Sequence, residues 1–218
     1  DPGLADAPSF VAGHLLNTFA LHTLGERSFA EMAKAWLAQA EAHAGRANER
    51  ERALIHAAGR LCAGAWDAAS VALDRVLADH PRDALALQTG HLMDFYRGDA
   101  ANLRNRVSRV LPHWGRDVPG YSFVLGMHAF GLEEMNQYAD AEETGRRALA
   151  IEPRDGWAVH AVTHVMEMQG RIAEGIDWLA SRERDWAPDN GFAFHNFWHL
   201  ALFRLDGGDV RGALALYD

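Results

Sequence analysis

Amphipathic patterns with a helical period run along almost the whole chain, and short polar segments separate them. Apolar residues recur three and four positions apart, which places them on one face of an α-helix. The separators are rich in proline, glycine and aspartate, as in residues 80–83, 117–120 and 187–191. No segment stands out with the alternating period that is typical of a β-strand. The pattern predicts an all-α protein.

Turn residues recur along the chain at a nearly regular spacing. Each predicted turn begins with a glycine or an asparagine, and these are Gly25, Gly64, Gly98, Asn136, Gly170 and Gly208. Subtracting successive numbers gives separations of 39, 34, 38, 34 and 38 residues. A period of about 34 residues is that of the tetratricopeptide repeat, a pair of antiparallel helices. The longer separations then require insertions of four or five residues in the loops between pairs.

Small residues also recur where this repeat needs them. Counting Asn136 as repeat position 15 places Ala129, Ala141 and Ala148 at positions 8, 20 and 27, and Pro153 at position 32. Small side chains let two helices pack closely, and proline ends the second helix because it has no backbone N–H. These residues support the predicted pairing of helices.

We therefore predict one continuous tetratricopeptide-repeat array over residues 1–218. It would be a right-handed superhelix, an α-solenoid of about six helical hairpins, with the first helix of each pair on the inner, concave wall. The sixth hairpin stops at Asp218, only about two turns into its second helix. Because a solenoid normally closes with a polar capping helix, we expect the array to be C-terminally truncated and to continue beyond residue 218.

The composition narrows the class of partner. With 30 acidic and 21 basic side chains, the formal net charge is −9, which argues against nucleic acid or an anionic membrane surface. The single cysteine, Cys62, excludes an internal disulfide and fits a reducing compartment, so we expect a cytoplasmic protein. No apolar run has the length of a transmembrane helix. The composition leaves the oligomeric state open.

Two histidine pairs carry the clearest chemical signal, His160 with His164 and His195 with His199. Residues four apart lie on one face of a helix with Cβ atoms about 5–6 Å apart, so each pair can aim two imidazoles at one point. That spacing suits one divalent transition metal, such as Zn²⁺, Mn²⁺ or Fe²⁺. The residues between the first pair are Ala-Val-Thr, so the His-Glu-x-x-His motif of zinc proteases is absent.

The predicted inner wall also carries carboxylates and aromatic side chains. Glu167 and Glu133 are candidate catalytic residues, because each is placed to act as a base beside the imidazoles. The candidate ligand-binding residues are Phe123, Phe130, Glu134, Trp157 and Trp198. By helical angle, the two histidine pairs lean toward opposite flanks of their helices. Whether those flanks meet depends on how the repeats stack, which the sequence leaves open.

Several stretches of the sequence resemble one branch of tetratricopeptide proteins. They are residues 8–14 (PSFVAGH), 79–81 with 85–87 and His91, 130–134 (FGLEE), 157–164 (WAVHAVTH) with Glu167 and Met168, and 195–199 (HNFWH). In these stretches the chain is similar to the family of tetratricopeptide repeat protein 38. The resemblance implies an all-helical solenoid, histidine pairs that are family features, and a longer chain. It supplies no reaction.

Three interpretations of the histidines compete at this stage. They ligate a metal ion, they act without metal as acids, bases or hydrogen-bond donors, or they connect neighbouring helices through buried hydrogen bonds. The leading hypothesis for function is a pocket that binds a small molecule or short peptide, with or without metal-dependent chemistry. The alternative is a non-enzymatic scaffold that binds a peptide or helix in the groove. Neither hypothesis identifies a reaction.

Overall fold

The computed structural model describes residues 7–217, and this part of the chain contains helices and turns but no strand. Its helices are α1 (Val11–His22), α2 (Arg27–Ala42), α3 (Glu49–Cys62), α4 (Trp66–Asp79), α5 (Ala84–Tyr96), α6 (Ala100–Val110), α7 (Tyr121–Glu134), α8 (Tyr138–Leu149), α9 (Gly156–Met168), α10 (Ile172–Ser181), α11 (Glu183–Trp186), α12 (Ala193–Asp206) and α13 (Val210–Tyr217). The prediction of an all-α protein is confirmed.

The helices pack in neighbouring pairs, and the turns within the pairs lie where the sequence predicts them. All six predicted turn residues have positive φ angles, including Asn136 with a φ of 59°. Positive φ is strained for most residues, but glycine adopts it readily and asparagine tolerates it better than others. The six residues end the first helix of each pair, so the chain reverses there. The predicted repeat phase therefore matches the backbone.

The three longer repeat separations have a structural cause. Each coincides with an extra helical turn in a loop between pairs, namely the 3₁₀ turns Ala44–Arg46 and Leu111–His113 and the short helix Glu183–Trp186. The two connections that belong to separations of 34 residues, 80–83 and 150–155, contain no such turn. The predicted insertions therefore lie in the predicted loops, and their helical form was not anticipated.

Small residues lie at the helix crossings, as the repeat pattern predicts. Ala129, Ala141 and Ala148 are fully buried. Close to them, a Cβ atom added to Gly145 of α8 would lie only 2.6 Å from Cγ2 of Val162 on α9. Helices α8 and α9 therefore approach each other more closely than a larger side chain would allow.

Contacts divide the chain into two compact units, with the boundary between His113 and Trp114. Helices α1 to α6 belong to the first unit and helices α7 to α13 to the second. Asp218 and the expected continuation of the array lie outside the described residues. No helix in the described part combines the length and the apolar character that crossing a bilayer requires.

Candidate metal centre

Both helices that carry histidine pairs belong to the second unit and begin with well-defined polar contacts. Asp155 caps α9, because its Oδ1 accepts hydrogen bonds from the backbone N–H groups of Trp157 and Ala158, each at 3.1 Å. On α12, the buried side chain of Asn196 donates a hydrogen bond to the carbonyl oxygen of Gly156, the first residue of α9. This bond ties the two helices together where each begins.

The four imidazoles converge on one point through their Nε2 atoms. His160 Nε2 lies 3.1 Å from His195 Nε2, and His164 Nε2 lies 3.2 Å from His199 Nε2. The Nε2 atoms of His195 and His199 are also 3.2 Å apart. One potential ligand atom from each of the four side chains lies within 4.8 Å of the others. The structure thus brings together all four histidines that the sequence analysis singled out.

The two pairs meet because α9 and α12 are neighbours that contact each other. Helix α9 faces α12 with one flank, and α12 faces α9 with the opposite flank. Because the two histidine pairs lie on opposite flanks of their helices, they face one another. The sequence predicts a difference in helical angle between the pairs, but whether this turns them together or apart depends on how the helices stack.

The cluster is buried on one side and accessible on the other. His160 and His199 are 3% and 2% exposed, so their rings belong to the interior of the second unit. His164 and His195 are only partly buried, and Trp198 beside them is exposed. A small molecule or water can therefore approach the cluster from the side of His164 and His195.

Carboxylates lie close to the Nδ1 atoms of two of the four histidines, on the side of the ring away from the cluster centre. His199 Nδ1 lies 2.9 Å from Glu167 Oε2, a good hydrogen-bond distance. His164 Nδ1 lies 3.4 Å from Glu133 Oε2, within ion-pair range but without hydrogen-bond alignment, so this oxygen has no hydrogen-bond partner. The Nδ1 atom of His160 is buried without a partner. Carboxylates in this position orient metal-ligating histidines in many proteins.

Lowered pKa values keep His160 and His195 neutral at pH 7. Burial lowers the pKa of His160 well below its ordinary value, and the neighbouring imidazoles lower it further. Burial, followed by His199 and His164, lowers the pKa of His195 to about 4. The hydrogen bond from His199 lowers the pKa of Glu167, which remains a carboxylate. Neutral imidazole is the form that binds a metal ion.

The predicted ligand-binding aromatics take different places around the cluster. Phe130 is fully buried, and its ring packs against His160 and His164 at centroid distances of 5.2 and 5.5 Å. Trp157 packs on His160 at 5.2 Å, and Trp198 packs on His195 at 5.3 Å. Phe130 therefore supports the rings from the interior, whereas Trp198 lies on the exposed side.

Phe123 is half exposed on α7, and no ring contact joins it to the histidines in the described part of the chain. Glu134 is partly buried and lies beside Glu133 at the end of α7. Burial, and then the charge of Glu133, raises the pKa of Glu134. Both carboxylates are close enough to His164 for the three side chains to share a cation.

Two residues that support the histidine cluster, Phe192 and Asn196, were not predicted from the sequence. Phe192 packs against His160 and His195 at centroid distances of 5.2 and 5.0 Å. It precedes His195 by three residues, as Trp157 precedes His160, so the repeated pattern aromatic-x-x-His-x-x-x-His was a readable signal. No sequence pattern indicated the role of Asn196.

His14 and His91, which also fall in the stretches that carry the family resemblance, are buried in the first unit. His14 Nε2 contacts the carbonyl oxygen of Pro8 at 2.7 Å, and its ring stacks on that of His43. Both therefore occupy interior positions of the first unit and are not members of the four-histidine cluster. No protein-family model matches this sequence.

Proposed function

We propose that the second unit is a metal-binding module in which His160, His164, His195 and His199 ligate one divalent transition-metal ion through their Nε2 atoms. Imidazole binds a metal ion in its neutral form, so four histidine ligands would leave the bound ion its full positive charge. Imidazole is a borderline ligand that suits zinc, iron and copper better than calcium or magnesium. Of the three metals expected from the sequence, zinc and iron fall within this range, whereas manganese prefers oxygen ligands.

One observation carries the proposal, and it concerns which ring nitrogens hold protons. The carboxylate of Glu167 only accepts hydrogen bonds, so His199 must carry its proton on Nδ1 and present a lone pair at Nε2. The negative charge of Glu133, 3.4 Å away, favours a proton on Nδ1 of His164 as well, although the two groups are not aligned for a hydrogen bond. In that tautomer two lone pairs face each other at 3.2 Å, and a cation between them would remove this repulsion.

The distances support the same conclusion. Four nitrogens bound tetrahedrally to zinc at about 2.0–2.1 Å lie about 3.3–3.4 Å from one another. The three Nε2 separations of 3.1 to 3.2 Å are close to such an edge, and the ligand atoms of all four rings lie within 4.8 Å of one another, so shifts of the rings would complete the coordination. Pre-arranged ligands reduce the ordering that binding would otherwise require.

With four histidine ligands a tetrahedral ion has no open position, so Lewis-acid polarisation of an oxygen ligand or activation of water at such a centre would require a fifth coordination position. The partly exposed edges of His164 and His195 and the aromatic face of Trp198 favour a small molecule or a short peptide as the ligand. Glu167 orients His199, and being partly exposed it is also the carboxylate best placed to exchange a proton with such a ligand. Glu133 is too deeply buried for that role.

We also infer that the helix pairs are tetratricopeptide repeats, as the resemblance to the tetratricopeptide repeat protein 38 family implies. The six positive-φ turn residues and the buried alanines at the expected positions support this assignment. In this interpretation α9 and α12 are the first helices of adjacent repeats. Histidines on their facing flanks then give the array a centre that an ordinary peptide-binding scaffold does not need.

Elemental analysis of the freshly purified protein tests the metal centre. We expect about one equivalent of a transition metal in the wild type and less than a tenth in a His160→Ala/His195→Ala double variant. His56→Ala is the matched control, because His56 is exposed on α3 and lies outside the cluster. Circular dichroism and melting curves should show that the double variant remains folded.

The competing interpretation is a set of buried histidines that connect helices and form part of a plain protein-binding scaffold. It predicts less than a tenth of an equivalent in the wild type, even after expression with added metal. It also predicts that each histidine substitution costs about 1–3 kcal/mol of stability without any change in metal content. That combination would rule out the metal centre.

A further inference from the structure

A second group of potential cation ligands adjoins the four-histidine cluster. Its side chains are Glu133 and Glu134, the last two residues of α7, and His164. His164 uses different ring atoms on its two sides, because Nε2 points to His199 whereas Nδ1 lies 3.4 Å from Glu133. One imidazole thus belongs to two groups of potential ligands.

The charge at this place is not balanced within the protein. Glu133 is 4% exposed, and no lysine or arginine of the described chain forms an ion pair with either glutamate. Its Oε2 atom points to His164 and has no hydrogen-bond partner. A buried carboxylate oxygen without a hydrogen-bond partner is costly, and a second carboxylate beside it adds repulsion.

The helix that carries the glutamates makes their charge still less favourable. Both lie at the C-terminal end of α7, where the helix dipole is negative and carbonyl oxygens lack partners within the helix. Cations are stabilised at this end of a helix and anions are not. The position, the burial and the unpartnered oxygen therefore all favour a positive ion between the two glutamates and His164.

We propose that Glu133, Glu134 and Nδ1 of His164 bind a second divalent cation, with the His164 ring bridging it to the ion in the four-histidine centre. The bridging part of this inference rests on the function proposed above. When the second ion binds, the Nδ1 proton of His164 leaves to solvent and the ring binds one cation through each nitrogen. Two carboxylates and one imidazole suit Mn²⁺, Fe²⁺ or Zn²⁺.

The test loads the full chain with one equivalent of Zn²⁺ and then titrates Mn²⁺, which electron paramagnetic resonance detects while it is free. We expect the zinc-loaded wild type to bind one further equivalent of Mn²⁺. Glu134→Gln should weaken this binding ~10-fold or more, by analogy with the loss of supporting groups at metal sites. Zinc content should not change, because Glu134 does not contact the Nε2 atoms.

Glu143→Gln is the control, because Glu143 is an exposed glutamate on the neighbouring helix α8. It should leave Mn²⁺ binding at the wild-type level. If Glu134→Gln alters the melting temperature, Glu133→Gln provides a second variant, and its zinc content shows whether the first centre is intact. Equal Mn²⁺ affinity in wild type, Glu134→Gln and Glu133→Gln would overturn the second site.

The two proposals fail in different ways. Uptake of one equivalent of Zn²⁺ without Glu134-dependent binding of Mn²⁺ would leave the four-histidine centre and remove the second site. Binding of Mn²⁺ that depends on Glu134, in a protein that takes up no Zn²⁺ at the histidines, would remove the first centre and the bridge. Loss of both ions in His164→Ala is the result that bridging predicts.

Discussion

Replacing Gly145 by alanine would test the close packing of α8 against α9, the helix that carries His160 and His164. The added Cβ would lie 2.6 Å from Cγ2 of Val162. Carbon atoms normally pack about 3.5–4.0 Å apart, so the contact is about 1 Å too short. Val162 is fully buried and β-branched, and its methyl group therefore cannot easily rotate away.

The magnitude follows from two opposing effects. Alanine is favoured over glycine within a helix by about 0.8–1 kcal/mol. Overpacking a buried helix crossing typically costs about 1–3 kcal/mol. Gly59→Ala on α3 isolates the first effect, because no atom lies within 4 Å of a Cβ added there. Gly145→Ala should therefore be about 1–3 kcal/mol less favourable than Gly59→Ala.

Urea unfolding, followed by circular dichroism, measures both changes against the wild type. Adding Val162→Ala to Gly145→Ala should relieve part of the clash, so that the two substitutions together cost less than the sum of each alone. An increase in stability from Gly145→Ala equal to that from Gly59→Ala would refute the packing described for α8 and α9. Strict additivity in the double variant would refute the assigned contact with Val162.

Three further predictions concern the site and the core. Glu167→Gln should weaken metal binding by about 10–100-fold while the protein stays folded, because a neutral amide oxygen accepts the hydrogen bond from His199 less strongly than a carboxylate. Competition with a chelator measures the metal affinity. The metal-free protein should lose stability as pH falls from about 6.5 to 4. Over that range His195, whose pKa in the folded protein is about 4, binds a proton more readily in the unfolded chain than in the folded one. Urea unfolding at a series of pH values measures the resulting loss of stability. Arg106→Leu should cost about 3–5 kcal/mol in thermal unfolding, because it removes the 2.8 Å ion pair of the fully buried Asp94 and leaves this carboxylate only a longer ion-pair contact with Arg97 at 3.6 Å.

Much of the fold could be predicted because it depends on local rules. Turn residues with positive φ are restricted mainly to glycine and asparagine, so the turns at Gly64 and Asn136 could be located from residue type alone. Close helix crossings need small side chains, which identified Ala141 and Ala148. The division of the chain into two units could not be predicted, because it depends on contacts that no local pattern records.

The candidate site was predictable only in part. The spacing of each histidine pair placed both of its rings on one helix face, and this is a local property. The meeting of the pairs depends on how α9 and α12 stack, and Asn196 contributes to that stacking by a hydrogen bond across 40 residues of chain. The choice of Nδ1 partners, Glu167 for His199 and Glu133 for His164, likewise depends on tertiary contacts.

X-ray absorption at the metal edge tests the central claim most directly, because it reports the ligands of the bound ion. Using protein reconstituted with one equivalent of Zn²⁺, we predict a first shell of nitrogen at about 2.0–2.1 Å. The outer-shell scattering should be that of about four imidazole rings, and it should fall by about half in the His160→Ala/His195→Ala variant. A first shell of oxygen without imidazole scattering, or a spectrum identical in wild type and variant, would contradict the account.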